Sequence, residues 1–461
     1  MSGTSKKRDT LGEVEVPEGA LYGPQTARAV RNFPISGWTM PAAFIRAMGL
    51  IKQAAAESHK AGGRMDAAIA DAIIAAAAEV ADGKLDEHFP VDVFQTGSGT
   101  STNMNANEVI AARAAEILGD GANVHPNDDV NRGQSSNDVI PTALHVATAV
   151  EIHSRLIPAV EALRDALAAK AGEFDDVVKI GRTHLMDAVP VRLGQEFAGY
   201  AAQMDAALGE LRRAVDALCE VPIGGTAVGT GLNAPAGFAA DICRRLAEKT
   251  SLGFRECPDR FAAQAARDTC VQVSGTLRRT ALAMGKVASD IRLLASGPRC
   301  GLGELTLPAL QPGSSIMPGK VNPVLCESVV QVACEVVGLD AAVAACATGG
   351  VGSILELNVG SPVIAWNLLT QVDLLANVSR VFADKCIAGI EADRARCGQL
   401  IEQSLAMVTV LAPEIGYDAA AEVAKQAHAT GKTIREICLE KKILPEAKLN
   451  ELLDARKQTG E

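Results

Sequence analysis

The sequence predicts a mostly α-helical protein built on a bundle of long helices, and three observations predict it. The first is proline spacing. The 20 prolines leave open stretches from 41 to 90, 158 to 190, 190 to 222, 258 to 298, 323 to 362 and 362 to 413. Proline interrupts helix interiors, so each stretch has room for a helix longer than the usual three turns. The second is periodicity. Leu193, Phe197, Tyr200, Met204, Leu208, Leu211, Val215 and Leu218 follow at steps of 4, 3, 4, 4, 3, 4 and 3, an unbroken apolar stripe on a helix of nearly thirty residues. The third is composition. Aromatic residues make up only 3% of the chain while alanine is abundant, so helix axes can approach closely.

Taken in order, the polar opening MSGTSKKRDT runs straight into Leu11-Gly12-Glu13-Val14. It has neither an apolar signal-peptide core nor an amphipathic transit sequence, which points to a cytoplasmic address. Gly12–Pro17 and Val177–Ile180 are the best strand candidates. Residues 1–134 mix loops and shorter helices, 135–390 carry the long helices, and 391–461 form a charged tail of shorter ones. Three regions suit a length of 461 residues at roughly 150 per domain. Further helical patterns run from Asp259 to about Ser296, and from Pro323, a good first helical residue, to about Ala347. Val221–Ala240 is free of charge but holds Pro222, Pro235 and five glycines, so it reads as a loop and not a membrane span.

Charge narrows the function. With 44 Lys+Arg against 55 Asp+Glu the net charge is −11, and no basic stripe is present. That argues against nucleic acid or an anionic membrane as partner. An anionic ligand would need a local positive pocket. The 11 cysteines, all between Cys219 and Cys438, are odd in number and show neither CxxC nor zinc-ligand spacing. They read as buried free thiols in a reducing compartment, with no metal site implied.

Four segments break the alanine-rich pattern with Gly, Ser, Thr and Asn. They are 97–105 (GSGTSTNMN), 131–138 (NRGQSSND), 181–187 (GRTHLMD) and 313–323 (GSSIMPGKVNP). Each alone passes for a turn or helix cap. Together they supply hydroxyl, amide, Arg and Lys donors with few negative charges, the set a small polycarboxylate requires. Two other motifs fail. Gly229 to Ala234 fits GxGxxA but runs into Pro235 with no βαβ unit around it. Gly313 to Lys320 has the wrong glycine spacing for a P-loop, and Val321 stands where a magnesium-binding hydroxyl belongs. Among the histidines, His145 and His153 read as packing residues, and His59, His88 and His428 as surface residues. His125 opens the turn His125-Pro126-Asn127-Asp128, which could also hold an anion. His184 is the best candidate for chemistry.

GSSIMPGKVNP at 313–323 resembles the signature loop of the fumarase/aspartase superfamily. The likeness spans nearly the whole chain, from Asp9-Thr10-Leu11-Gly12-Glu13 through GGTAVGTGLN at 224–233 and ASGPRCG at 295–301 to Ile415-Gly416-Tyr417-Asp418. Within the superfamily it resembles the class II fumarate hydratases. His184 stands where aspartases have Gln, HPND at 125–128 where they have NPND, QSSND at 134–138 where they have QSTND, and Gly319 where they have Ala. Pro24, Gly133, Ser289, Leu293, Ala412 and Glu414 depart from the family's usual residues, none of them at the acid, base or lysine described next. The alternatives are an aspartate ammonia-lyase and a non-enzymatic relative.

The resemblance implies reversible anti addition of water to fumarate, giving L-malate, without metal or organic cofactor. By analogy Ser314 is the base at C3, its alkoxide favoured by Lys320 and backbone N–H groups. His184, oriented by Glu327, handles the proton on water. Lys320, Val321 and Asn322, with Ser315 and Thr183, would grip the carboxylate that turns into the doubly negative aci form. Ser98, Gly99, Thr100, Ser135, Ser136 and Asn137 would hold the rest of the substrate. His125, Pro126, Asn127 and Asp128 resemble the family's secondary dicarboxylate site. The family builds a homotetramer with a 20-helix core and sites shared between subunits, which suits helices with more apolar faces than one chain covers.

Overall fold

The computed structural model describes residues 3–119 and 121–460, so Met1 and Ser2 of the polar opening lie outside it. Helices dominate. In chain order they are α1 Pro24–Asn32, α2 Ala42–Ala61, α3 Ala67–Ala81, α4 Thr100–Leu118, α5 Ser136–Glu151 and α6 Ile157–Glu173. There follow α7 Leu193–Leu218, α8 Phe238–Thr250, α9 Arg260–Ala265, α10 Asp268–Leu294, α11 Val324–Ala347 and α12 Ser361–Lys385. Shorter helices fill the chain from Arg394 to Leu452. The strands are small: β1 Thr4–Asp9 pairs with β2 Gly12–Pro17, and β3 Val178–Thr183 with β4 Met186–Arg192, both antiparallel.

Two compact units emerge. The first comprises 1–158, 208–281 and 334–376; the second comprises 159–207, 282–333 and 377–461. In the first, α2 packs on α3, α5 and α8 around Phe44, Met48, Ile51, Ile73 and Ile140, all nearly inaccessible. Glu108 of α4 accepts from the N–H groups of Gly23, Gln25 and Thr26 and so caps α1 from a distance. In the second, Phe174, Phe197 and Tyr200 stack edge to face, and a further core gathers Ile401, Leu411, Val423, Ile437 and Leu449.

The apolar stripe of 193–218 forms one helix of 26 residues, as its periodicity predicts. Two other stretches are broken. Between Pro41 and Pro90 the chain turns at Gly62 and Gly63, and Asp66 restarts the helix by capping the N–H groups of Ala68 and Ile69. Between Pro258 and Pro298, Ala266 is extended, and the Arg267 guanidinium binds the Ala263 and Ala266 carbonyls, which ends α9 before α10 begins. The segment 4–9, read only as polar leader, is the strand partner of 12–17 because register places Ser5 opposite Val16 and Lys7 opposite Val14.

Three side-chain readings need correction. His59 is buried, stacked on Phe238 at 4.7 Å, although its neighbours in sequence are polar. His153, read as packing, is exposed, within the π-helical stretch Ile152–Leu156. Seven of the 11 cysteines are buried free thiols, but Cys300 and Cys334 are exposed.

Candidate active site

In the first unit, hydroxyls line up. Ser98 Oγ lies 2.7 Å from Thr100 Oγ1, which lies 2.7 Å from Ser136 Oγ. Gly99 makes this possible: it sits left-handed at φ 76° as the cap of α4, and a Cβ there would meet Ile140 at 2.9 Å. Ser135 caps α5 in a capping box with Asp138, its Oγ accepting from Asn137 N–H. The Asn137 amide donates to Ala227 O at 2.7 Å, which fixes the side chain's plane. Thr100, Ser136 and Asn137 thus stand in the first turns of two helices, where backbone dipoles favour an anion.

At the 125–128 turn, His125 Nδ1 accepts from the N–H groups of Asn127 and Asp128, with Asp128 Oδ2 at 3.3 Å. Pro126 opens the following π-helical turn. The ring caps its own turn and is exposed.

In the second unit, β3 and β4 close through the two residues His184 and Leu185, both left-handed at φ 57° and 62°. That is the geometry of a type I′ hairpin turn, whose usual occupants are Asn and Gly. Holding two ordinary residues there costs ~1 kcal/mol or more each. The base of the hairpin is tied down by buried ion pairs. Buried Lys179 lies 2.9 Å from Glu196 and 3.4 Å from Glu304, and Arg182 reaches Glu304 at 3.0 Å. Burial pushes the Glu196 carboxyl up, opposed by Lys179. Thr183, His184, Leu185 and Met186 are all exposed at the tip.

The 313–322 segment is a loop with a closed neck. Gly313 N–H donates to Lys320 O and the Asn322 amide donates to Gly313 O, each at 2.7 Å. A Cβ on Gly313 would lie 2.6 Å from Lys320 O, so only glycine fits the crossing. Inside the loop, Ser314 Oγ accepts from the N–H groups of Ile316 at 3.2 Å and Met317 at 3.1 Å. Two backbone dipoles therefore already point at the oxygen that an alkoxide would occupy. Ser315, Lys320 and Val321 are exposed, and Pro323 leads into α11, whose first turn carries exposed Glu327. Among the described residues Lys320 and Glu327 make no ion pair, and no hydrogen bond joins the hairpin tip to this loop.

Two family models match the chain: one described as Lyase over residues 12–338 and one described as Fumarase C C-terminus over 407–460. A class II fumarate hydratase of Corynebacterium efficiens is 54% identical, covering 96% of this chain and 93% of that protein. The chain belongs to the class II fumarate hydratase family. The fumarate hydratase of Mycobacterium tuberculosis is 53% identical over 98% of this chain and 94% of its own. A crystal structure of class II fumarase from Schistosoma mansoni matches with TM-score 0.95 at 40% identity, covering 99% of both chains. The lyase character and mostly helical fold inferred from the sequence therefore hold for this fumarate hydratase chain.

The sequence reading missed what lies beneath these residues. Asp138 is inaccessible and accepts from the N–H groups of Ser135, Gly224 and Thr226 at 2.9 Å each. Burial pushes its carboxyl up, and the backbone donors pull the other way. Lys52, also inaccessible, was legible only as a lone cation on the apolar face of α2, four residues after Met48.

Proposed function

We propose that this chain carries out the reversible anti hydration of fumarate to L-malate through the residues described above, as a step of the tricarboxylic acid cycle. The observation that carries the mechanism is Ser314 Oγ, held between the Ile316 and Met317 N–H groups in a loop that also bears Lys320. A serine hydroxyl removes a carbon-bound proton only where its anion is stabilised, and these two donors and a cation supply that. In the malate-to-fumarate direction Ser314 takes the C3 proton, and the electrons move into the adjoining carboxylate. Lys320, Asn322, Ser315 and Thr183 meet the growing charge, with Val321 shaping the contact. His184 then gives a proton to the departing hydroxyl on the opposite face, with Glu327 orienting its ring.

Ser98, Thr100, Ser135, Ser136 and Asn137 hold the far carboxylate, Gly99 giving their loop its turn. His125, Pro126, Asn127 and Asp128 form a secondary dicarboxylate site. The reading includes no metal or organic cofactor, no nucleic-acid or membrane partner, and a cytoplasmic address.

The same reading makes the enzyme a homotetramer with sites shared between subunits. Two features support it. Among the described residues the charges of Lys320 and Glu327 have no ion-pair partner, and α11 is apolar enough to cross a membrane although only 33% of its most apolar window is buried. An apolar helix left this open fits a subunit-built bundle. The three regions 1–134, 135–390 and 391–461 are its proposed domains.

An ultraviolet assay for the fumarate double bond tests the reaction. Purified protein given L-malate forms fumarate, and the same protein given L-aspartate does not. Fumarate from aspartate alone would replace the hydratase with an ammonia-lyase.

A further inference from the structure

Lys52 is a buried charge that the mechanism above does not use. Lys52 sits on the apolar face of α2 and is 0% exposed. Its Nζ donates to Asn131 Oδ1 at 2.9 Å and Gln134 Oε1 at 3.0 Å. Asn131 Oδ1 also receives the Asn103 amide at 3.2 Å, and its own amide donates to Gln134 O at 3.2 Å. Gln134 donates back to Val130 O and Arg132 O. Two turns along α2, His59 Nε2 meets Arg132 O at 2.9 Å. The turn 130–134 is therefore gripped from below by one face of α2, and the next residue is Ser135, the cap of α5.

Burying an ammonium is costly, and a methionine would fill the space on an apolar helix at no such cost. Burial pulls the lysine down to about 7, with the Asp138 carboxylate opposing. What the charge provides in return is direction. Three N–H donors on one nitrogen fix two side-chain carbonyls at once, which no apolar residue does.

We propose that Lys52 is a positioning residue for substrate binding, acting through Asn131 and Gln134 to hold the 130–134 turn so that Ser135, Ser136 and Asn137 face the dicarboxylate. This rests on the functional reading above, and the experiment separates the two. Fumarate hydration is measured by steady-state kinetics for the wild type, Lys52→Met, Gln134→Leu and the double variant. Each single variant is expected to raise KM for fumarate about tenfold, the scale of one lost charge-assisted hydrogen bond, with kcat within about threefold. The double variant is expected to match the singles within about twofold, because both act along one chain of contacts. A folded Lys52→Met enzyme with wild-type KM overturns the proposal, as does a double variant whose KM rise is the product of the singles. If Lys52→Met does not fold, Asn131→Ala and Gln134→Leu carry the test, and wild-type KM in both overturns it. An inactive wild-type protein overturns the functional reading itself, and this inference with it.

Discussion

Ser314 and His184 are held in opposite ways. Ser314 is fixed by its own loop, whose two N–H groups aim at Oγ. Ser314→Ala removes the oxygen those groups serve while leaving the neck bonds of Gly313 untouched. Turnover is expected to fall roughly 10²–10⁴-fold, the usual contribution of a positioned acid or base, with the thermal midpoint unchanged. Steady-state kinetics beside a melting curve checks this, and near wild-type activity would remove Ser314 as the base. His184 is instead an exposed residue at a strained turn. His184→Asn puts a residue that favours left-handed backbone at that position, so stability is expected to hold or rise slightly while activity drops sharply. A variant that unfolds would make the histidine structural.

At the scale of elements, the proposed active-site pieces sit at chain reversals and helix starts, each braced by something buried. The loop depends on its crossing. Gly313→Ala forces a Cβ to within 2.6 Å of Lys320 O, so the neck must open and Lys320 must shift. Activity should fall at least tenfold with little change in helix content, as circular dichroism and the fumarate assay would report together. A different brace is expected to weaken in acid. His145 on α5 is buried, its Nδ1 2.8 Å from Glu220 O, and burial pushes the ring down to about 4 from 6.5. A folded value below the unfolded one means the neutral ring is favoured in the fold. Its contribution is complete above pH 6.5 and is lost as pH falls through 4. The loss amounts to about 3 kcal/mol by the linkage relation. Melting temperatures between pH 7 and 4 should fall less steeply for His145→Gln than for the wild type. Parallel slopes would assign the acid sensitivity to other groups.

For the whole molecule, α11 is where the proposed assembly is tested. Val337 is 40% exposed on that helix. If the proposed tetramer forms through this face, Val337→Glu is expected to shift light-scattering mass to smaller species and to abolish hydration, because that proposal builds each site from several subunits. A tetramer of wild-type mass and activity would mean that this face lies outside the assembly. The reaction itself is anchored by relatives 53–54% identical over nearly full length.

The sequence alone determined what is local or repeated. A 4-3 stripe over 193–218 needs nothing but helix geometry to become a 26-residue helix. A glycine-flanked loop carrying Ser314 and Lys320 is contiguous, so its motif was readable without a fold. Tertiary structure decided whatever depends on neighbours distant in sequence. His59 read as a surface ring, and Lys52 drew no reading at all, until α2 was laid against the 130–134 turn. The segment 186–192, with Pro190 and Asp187, gave no strand signal and became β4 only by pairing with β3. The break at Ala266 came from a guanidinium binding two carbonyls, a contact periodicity does not register. Hydrophobic pattern fixes which face of a helix turns inward; which polar groups meet there is set only when the helices pack.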